Sequence, residues 1–396
     1  MIISRKTEIS LNKKQIEKFQ QDCALSRRIH DMYQIMVLKN LTLHGEYVDY
    51  KGFLAWFYKY YLKKPKNYLK FPRNFNSDNI RQSVKNADKN LQKYIRGEIK
   101  IPGLKGKDKY VSVFVSSKNG TEQKILAQRH RIYVPTYGWI KLKEKGYIPT
   151  NSDRSEIICC YISFKTGRYY ISTNIKTNNG DYQNKNNKAT KNEPIGIDLG
   201  LQYFAVLSDG HIYENINHKD KIKRIEKHIA KKQKALNRKV KNKTQESGKN
   251  RKIKKNIYEV QKLYKRLNDK RNDYLNKVIA EIIKYNPKYV AIEDLVVKTM
   301  VNDRKFSKGI SDESFRTFRI KLIKKCHDKG IEVRVVNRYY PSSKRCHNCG
   351  NIKQKLFYSD RIYKCDVCGY ETGRDYNASL NIRDAKDYFI AKLESY

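Results

Sequence analysis

The chain has 396 residues, with 85 Lys and Arg against 40 Asp and Glu, a formal net charge of +45 at pH 7 with His neutral. Charge of that size speaks to partners rather than to fold and calls for a polyanion, nucleic acid first and an anionic membrane surface second. With 39% hydrophobic and 12% aromatic residues the chain can build real cores, which excludes a disordered tail, and its longest apolar run, near Ile157–Phe164, is far short of the roughly 20 residues of a bilayer span.

The N-terminus, Met1-Ile2-Ile3-Ser4-Arg5-Lys6, has no apolar signal core, so no secretory route is expected. Eight cysteines, four of them in two C-x-x-C pairs, suit a reducing compartment better than a disulfide scaffold. The length suggests two or three domains.

In chain order, residues 1–10 alternate apolar and polar and read as a strand. Residues 13–95 are helical in texture, with Tyr33, Met36, Val37 and Leu41 on one face and Ile80, Val84, Leu91 and Ile95 on another, the second helix capped by Ser77. Between them lies an aromatic patch, Tyr47 to Tyr61, expected mostly in the core. Residues 99–177 read as short strands at Tyr110–Ser116, Arg129–Val134, Trp139–Lys141, Ile157–Phe164 and Tyr169–Ile175, a pattern that suggests a small β-barrel completed by the first strand. The stretch 178–192, with six Asn, is a polar linker.

Ile195–Leu199, Tyr203–Ser208 and the Asp209-Gly210 turn begin a third section. Residues 219–255 hold 17 Lys and Arg against Asp220, Glu226 and Glu246. Ile222, Ile225, Ile229 and Leu236 on one side, and Ile257, Val260, Tyr264 and Leu267 on the other, predict a helical hairpin whose basic face tracks phosphates or is merely solvated. After Pro287, Tyr289–Glu293 reads as a buried strand ending in an acid, Phe315–Lys325 as a helix and Ile331–Val336 as a strand.

Two constellations carry chemistry. Cys346-His347-Asn348-Cys349 and Cys365-Asp366-Val367-Cys368, separated by 15 residues, have zinc-ribbon spacing. Four thiolates make a closed, structural site for one Zn²⁺. His347 is read as a solvent or nucleic-acid contact, and Cys23, Cys159, Cys160 and Cys326 as core residues.

The second constellation is Asp198, Glu293 and Asp375, each at the edge of an apolar element, where an acid is costly unless paired or metal-bound. Converging, they would hold two Mg²⁺ ions and support phosphodiester hydrolysis. From spacing alone Asp198 also reads as a hairpin residue, Glu293-Asp294 as a helix cap and Asp375 as an N-cap.

Gly196-Ile197-Asp198-Leu199-Gly200, Ile292-Glu293-Asp294-Leu295, Tyr340-Pro341-Ser342-Ser343-Lys344-Arg345-Cys346-His347-Asn348-Cys349-Gly350 and Arg374-Asp375-Tyr376-Asn377-Ala378-Ser379-Leu380-Asn381-Ile382 follow one another in the chain. Together they resemble the TnpB family of transposon-encoded RNA-guided nucleases, which is similar to the miniature type V CRISPR effectors. The likeness is strong over 194–385 and weaker over 101–105 and 133–141. Leu201 and Gln202 depart from the family pattern beside Asp198 without touching the triad.

The resemblance implies a multidomain α+β and α/β chain. A β-barrel wedge domain (1–12 and 98–178) would carry a helical recognition lobe (13–97), followed by a linker (179–193). An RNase H-like RuvC nuclease domain (194–336 and 373–396) would contain an inserted zinc ribbon (337–372). It implies Asp198, Glu293 and Asp375 as catalytic Mg²⁺ ligands, and Cys346, Cys349, Cys365 and Cys368 as zinc ligands. The partners would be a guide RNA and double-stranded target DNA, in a prokaryotic cytoplasm, with no membrane and a monomer favoured over a dimer.

Backbone contacts are expected at Lys231, Lys232, Arg238, Lys239, Arg251, Lys252, Lys254 and Lys255, on a basic segment near the cleavage centre, and a further nucleic-acid contact at Arg374. Reading of a short target-adjacent motif is expected at Tyr50, Arg81, Gln82 and Lys85. A CRISPR effector and a cleavage-deficient, guide-dependent repressor are the alternatives; three intact acids favour the nuclease.

Overall fold

The computed structural model describes residues 2–61, 75–104, 112–117, 124–150, 155–177, 192–241, 247–294, 312–357 and 359–391, and among these the side chains of 61, 241, 247–252 and 312–313 are not described. The expected linker, 179–193, therefore lies almost wholly outside the described residues. The chain divides into two compact units, Met1–Asp181 and Tyr182–Tyr396. No helix among the described residues is long and apolar enough to cross a membrane.

The first unit begins with strand β1 (Ile2–Ser10), helix α1 (Lys13–His44), helix α2 (Tyr50–Trp56) running on into a π-helical turn at Phe57–Tyr61, and helix α3 (Ser77–Ile95). Strands β2 (Ser112–Ser116), β3 (Leu126–Ala127), β4 (Arg131–Val134), β5 (Gly138–Leu142), β6 (Ser155–Lys165) and β7 (Arg168–Thr177) follow.

Asn12 opens α1 with a capping box: its side chain accepts from Gln15 N at 2.8 Å, and Gln15 Oε1 accepts from Asn12 N at 3.0 Å. The same glutamine donates to the carbonyls of Tyr137 (2.9 Å) and Trp139 (3.0 Å), fixing the helix to the sheet. The cap of α3 is Asn76, not Ser77: its Oδ1 accepts from Asn79 N at 3.0 Å, because Asn76 is the residue still extended when the helix starts.

Ile29, Tyr33 and Val37 of α1 pack with Phe53, Phe57, Ile80, Val84 and Leu91 in one core. Phe53 and Phe57 are fully buried, as expected of the aromatic patch, but Trp56 and Tyr60 are 41% and 52% exposed. Ile95, expected on the buried face of α3, is exposed at its last turn.

The seven strands form one sheet in the order β2-β6-β7-β1-β5-β4-β3, antiparallel throughout. The expected barrel is a curled sheet whose ladder does not close among the described residues. Its two edges still approach each other, since Ile125, just before β3, donates to Ser117 Oγ, just after β2, at 3.0 Å.

The second unit holds β8 (Ile195–Leu199), β9 (Tyr203–Leu207), β10 (Ile212–Glu214), α4 (Asp220–Lys241), α5 (Ser247–Lys284), β11 (Tyr289–Glu293), α6 (Asp312–Asp328), β12 (Glu332–Val336), β13 (Ile362–Lys364), β14 (Glu371–Gly373), α7 (Arg374–Arg383) and β15 (Tyr388–Ile390). Its main sheet runs β10-β9-β8-β11-β12-β15. β8, β11 and β12 are parallel and central, flanked by antiparallel neighbours.

Parallel strands covered on both faces need continuous apolar runs, which Ile195–Ile197 and Val290–Ile292 supply. One face packs Ile195, Ile197, Val290, Ile292 and Val335 against Leu275, Val278, Ile279 and Ile282 of α5 and Phe318 and Leu322 of α6. The other packs Ala291 and Val336 against Ile382 of α7.

The predicted helical hairpin is α4 and α5, with its tip at 242–246 outside the described residues. Ile222, Ile225, Ile229 and Leu267 form its seam. Val260 is buried too, but Ile257 and Tyr264 are 38% and 40% exposed: α4 does run beside them, with Gln233 donating to the Tyr264 hydroxyl at 2.8 Å, but a two-helix seam covers only a narrow stripe of α5.

Candidate active site and cysteine centre

Asp198 lies near the C-terminal end of β8, Glu293 at the C-terminal end of β11 and Asp375 in the first turn of α7. Parallel β8 and β11 deliver their carboxylates to the same end of the sheet, where open α/β sheets bind ligands.

Helix α7 is brought to that end by a close approach that needs Gly196. A Cβ there would stand 2.1 Å from the Ser379 carbonyl oxygen and 2.6 Å from Arg383 N, both backbone atoms. Gly196 also accepts from Ser208 N at 3.0 Å, and its own N donates to Ser208 Oγ at 2.9 Å.

Burial first, then the charges of Glu293 and Asp375, hold the Asp198 carboxyl well above the usual carboxylate range, and Arg374 acts against them. Burial also raises Glu293, opposed by a hydrogen bond from Ser342 Oγ to Glu293 Oε1. The three acids therefore share one electrostatic neighbourhood. Arg374 supplies a counter-charge: its Nη2 and Nε lie 3.0 and 3.1 Å from Asp375 Oδ1, and its side chain is 12% exposed. Half-buried carboxylates at two strand ends and at the start of α7, the last already paired with a cation, suit hard divalent ions with oxygen ligands.

The neighbouring Asp294 has a different job. Burial alone would raise it, but hydrogen bonds and charges from Arg319 and Arg338 outweigh that and lower it; Arg319 Nη1 bonds Oδ1 and Arg338 Nη2 lies 3.2 Å from Oδ2. Of the adjacent pair, Glu293 faces the other acids and Asp294 locks α6 to the segment after β12.

The cysteines form a tighter centre. The Sγ atoms of Cys346, Cys349, Cys365 and Cys368 all lie within 4.8 Å of one another, and no other set of three or more His, Cys, Asp or Glu among the described residues does so; the carboxylates form no such set. Cys346–Cys368 and Cys349–Cys365 separations are both 3.6 Å. A tetrahedral ion with Zn–S bonds of about 2.3 Å would place sulfurs about 3.8 Å apart.

Each pair sits on a turn in which Gly350 N donates to Cys346 O (2.9 Å) and Gly369 N to Cys365 O (3.2 Å), and both glycines have positive φ, +77° and +70°. The Tyr370 N–H, then the Asn348 side chain, hold Cys368 down at about 6. Backbone N–H groups of Cys368 and Val367 lower Cys365. Burial raises Cys346, and the Cys368 thiol pushes Cys349 up to about 12 against the Asn351 N–H, which favours its thiolate. Half the set favours thiolates and half resists further negative charge, so four thiolates together call for a cation such as zinc.

Of the other cysteines, Cys23, Cys160 and Cys326 are buried and Cys159 half-buried. His347 stays outside the set; its backbone N donates to Asn377 Oδ1 at 3.1 Å and its Nδ1 lies 3.9 Å from Asp384.

The expected nucleic-acid contacts divide. Lys85, Lys231, Arg238, Lys239, Lys254 and Lys255 are exposed. Lys232 pairs with Glu259 at 2.8 Å and exposed Arg81 with Asp78, Gln82 donates to Asn86 at 3.0 Å, and Tyr50 is half-buried against the helical core. Arg374 turns inward onto Asp375 rather than out to solvent. The side chains of Arg251 and Lys252 lie outside the described residues.

The hairpin projects from the end of the sheet that carries Asp198. Phe204 stands next to the β8–β9 turn, and its ring packs on Tyr274 of α5 at 5.7 Å. Residues 271–275 are thus level with the strand end, and the basic part of α5 extends beyond it.

Three site residues escaped the sequence reading. Ser342, Asn377 and Asn381 are buried polar groups around Glu293 and the first cysteine turn. The available signal was two asparagines four residues apart in a short helix, poor helix formers that need a reason to be buried.

Residues 175–304 match the family OrfB_IS605, described as "Probable transposase", and residues 315–382 match "Cas12f1-like, TNB domain". A "Putative RNA-guided DNA endonuclease" of Streptomyces pristinaespiralis is 34% identical over 188 residues, 48% of this chain and 44% of that one. The match thus spans less than half of that relative. The "Putative RNA-guided DNA endonuclease InsQ" of Escherichia coli (strain K12) is 24% identical over 372 residues, 89% of this chain and 84% of that one. Among solved structures, the chain in "Cryo-EM structure of the Cas12f1-sgRNA-target DNA complex" aligns with a TM-score of 0.56 at 14% identity, over 94% of this chain and 82% of that one, a likeness of fold. With an OrfB_IS605 match followed by a Cas12f1-like TNB match on a fold of this kind, the chain resembles the TnpB family of transposon proteins and its Cas12f1 relatives.

Proposed function

We propose that the chain is an RNA-guided DNA endonuclease that hydrolyses phosphodiester bonds at Asp198, Glu293 and Asp375. The observation that carries this reading is the electrostatic convergence of those acids at the C-terminal ends of two parallel strands. The sheet order, an antiparallel meander followed by two parallel strands, supports an RNase H-like RuvC core over 194–336 and 373–396. The curled sheet and helical insertion support a wedge and recognition lobe over 1–178, and the paired cysteine turns support a zinc ribbon over 337–372.

Asp198, Glu293 and Asp375 would hold two Mg²⁺ ions, which when bound supply an activated water and charge neutralisation at the leaving oxygen. The chain's own residues prepare the site. Ser342 fixes the Glu293 carboxylate, and Arg374 holds Asp375 and balances the buried negative charge. Ile197 and Ile292, fully buried beneath, exclude water from the floor. The exposed cations of α4 and α5 would bind nucleic-acid backbone, while base pairing with a guide RNA reads target sequence. The reading places a monomer in a prokaryotic cytoplasm.

Purified protein with RNA from its gene's flank should cut a matched plasmid only with a divalent metal such as Mg²⁺. Asp198→Ala should abolish cutting and preserve RNA-dependent DNA binding. An Asp198→Ala chain that cuts normally overturns the assignment.

A further inference from the structure

The Glu293 carboxylate is held by a residue that does not belong to the strand bearing it. Ser342 lies in the turn between β12 and the first cysteine pair, 5% exposed, and its Oγ donates to Glu293 Oε1. The turn is tightly made, with Ser342 N on Tyr340 O (2.8 Å), Lys344 N on Pro341 O (3.0 Å) and Arg345 N on Pro341 O (2.9 Å).

Two asparagines of α7 clamp the same turn. Asn381 Nδ2 donates to Ser342 O at 2.8 Å and to Arg345 O at 2.6 Å, and Asn377 Nδ2 donates to Arg345 O at 2.8 Å. Asn377 Oδ1 accepts from His347 N at 3.1 Å, inside the cysteine turn. On the ribbon side, the fully buried Tyr363 donates its hydroxyl to Lys344 O at 3.1 Å and packs on Cys346 and Cys365.

A continuous set of hydrogen bonds therefore runs from the cysteine centre, through the Ser342–Arg345 turn, to one carboxylate of the acid cluster, with α7 supplying both the clamp and Asp375. Because the side chains of Ser342, Asn377, Asn381 and Tyr363 are buried and each bonds within this set, loosening one end leaves unpaired groups at the other.

We infer that Ser342 is a positioning residue that couples the order of the cysteine ribbon to the divalent-metal affinity of the carboxylate cluster. The inference rests on the proposed reading of that cluster as a metal site. A loaded ribbon holds the turn, the turn holds Ser342, and Ser342 holds Glu293 in the orientation that Asp198 and Asp375 share. Groups that orient metal ligands in this way typically change metal affinity about 10- to 100-fold when removed.

The test is direct Mn²⁺ binding to the full-length, zinc-loaded chain, followed by the electron paramagnetic resonance of the free ion, with Glu293→Gln as the blank. Ser342→Ala should bind Mn²⁺ about 10-fold more weakly at unchanged zinc content, and Ser342→Thr, which keeps the hydroxyl, should return to within about threefold of wild type. Asn381→Ala, which frees the Ser342 carbonyl and leaves its hydroxyl in place, should weaken Mn²⁺ in the same direction. Cys365→Ser should weaken Mn²⁺ in the wild-type background and add little to Ser342→Ala.

Wild-type Mn²⁺ affinity in both Ser342→Ala and Asn381→Ala overturns the coupling, as does a Cys365→Ser effect that is fully additive with Ser342→Ala. A Ser342→Ala chain too unstable to assay leaves Asn381→Ala to decide the matter by the same criterion. If Glu293→Gln binds Mn²⁺ like wild type, the metal reading of the cluster fails first. If it loses Mn²⁺ while Ser342→Ala and Asn381→Ala keep it, only the coupling fails.

Discussion

The cysteine centre and the carboxylate cluster occupy the same unit and are assembled in opposite ways. Four sulfurs come from two short turns, each closed by its own backbone hydrogen bond and a glycine at positive φ, and they reach ligand spacing within the 345–373 stretch. Three carboxylates come from a strand, a second strand more than 90 residues later and a helix beyond the ribbon. They share one electrostatic neighbourhood only because a six-stranded sheet and a close helix–strand packing bring them to it. The first site is specified by local geometry and the second by topology, so damage to them should spread differently.

The largest expected effect is at the cysteines. Cys365→Ser should lose one equivalent of metal per chain and open the 345–370 region to protease, measured by zinc analysis and limited digestion, with β8–β12 still folded. If digestion instead spreads at once through the sheet, the fold of the ribbon is not specified locally.

Next is Gly196→Ala. A methyl facing two backbone atoms closer than any van der Waals contact cannot be absorbed by a rotamer change, and overpacking of this kind costs about 3 kcal/mol or more. Denaturant unfolding should show the loss, together with failure of cleavage, because α7 carries Asp375. Phe318→Ala, removing a fully buried ring of α6 that packs on the same sheet's other face, should cost about 3–5 kcal/mol with α7 left in place.

The acid cluster should behave in the opposite sense. Asp198 is raised, so the folded state holds its proton longer than the unfolded state does, and metal-free stability should fall as pH rises from about 4 towards the raised value. Asp198→Asn should flatten that fall and raise the metal-free Tm at neutral pH by on the order of 3 °C, while removing cleavage. A Tm that drops would show that Arg374 already over-compensates the cluster.

The smallest effects belong to the basic surface. Replacing exposed Lys239 or Lys255 by Ala should lower the salt dependence of nucleic-acid binding by about 0.7–0.9 in log–log slope for each phosphate that the lysine neutralises. Lys232→Ala should do less, since Lys232 already has Glu259. Equal slopes for the two would mean that the ion pair opens on binding.

The same contrast explains what could be read from the sequence. The cysteine set was legible because its specification is a spacing. The three acids were legible as polar breaks at the ends of apolar runs, and the strands of the second unit because buried parallel strands are continuously hydrophobic. Ser342, Asn377, Asn381 and Gly196 carry no such signal, because the groups that they bond or pack against across the fold lie 30 to 187 residues away and nothing in their neighbourhoods encodes them.

On the hairpin, periodicity alone overstates burial at Ile257 and Tyr264, because two helices bury only the stripe where they meet and Tyr264 lies at its rim, beside Gln233. Arg374, expected as a nucleic-acid contact, pairs with the adjacent Asp375, a contact that its charge alone does not announce. In the first unit, strand periodicity gave the elements but not the curl, which depends on how two edges meet through Ser117 and Ile125.

The length of α5 sets a reach. Its stretch packed on the sheet begins near Leu275, and Lys255 lies 20 residues earlier in the same helix, about 30 Å along the axis at about 1.5 Å per residue. At about 3.4 Å per base-pair step along each strand, that is nearly one turn of duplex. If the proposed function holds, a helix anchored beside the acids and carrying cations to that distance would have the dimension to gauge how much paired nucleic acid has formed before a phosphodiester arrives at Asp198. Shortening α4 and α5 by two helical turns on each side, leaving the root intact, would change the length of pairing that the protein can grip while the chemistry at the strand ends stays the same.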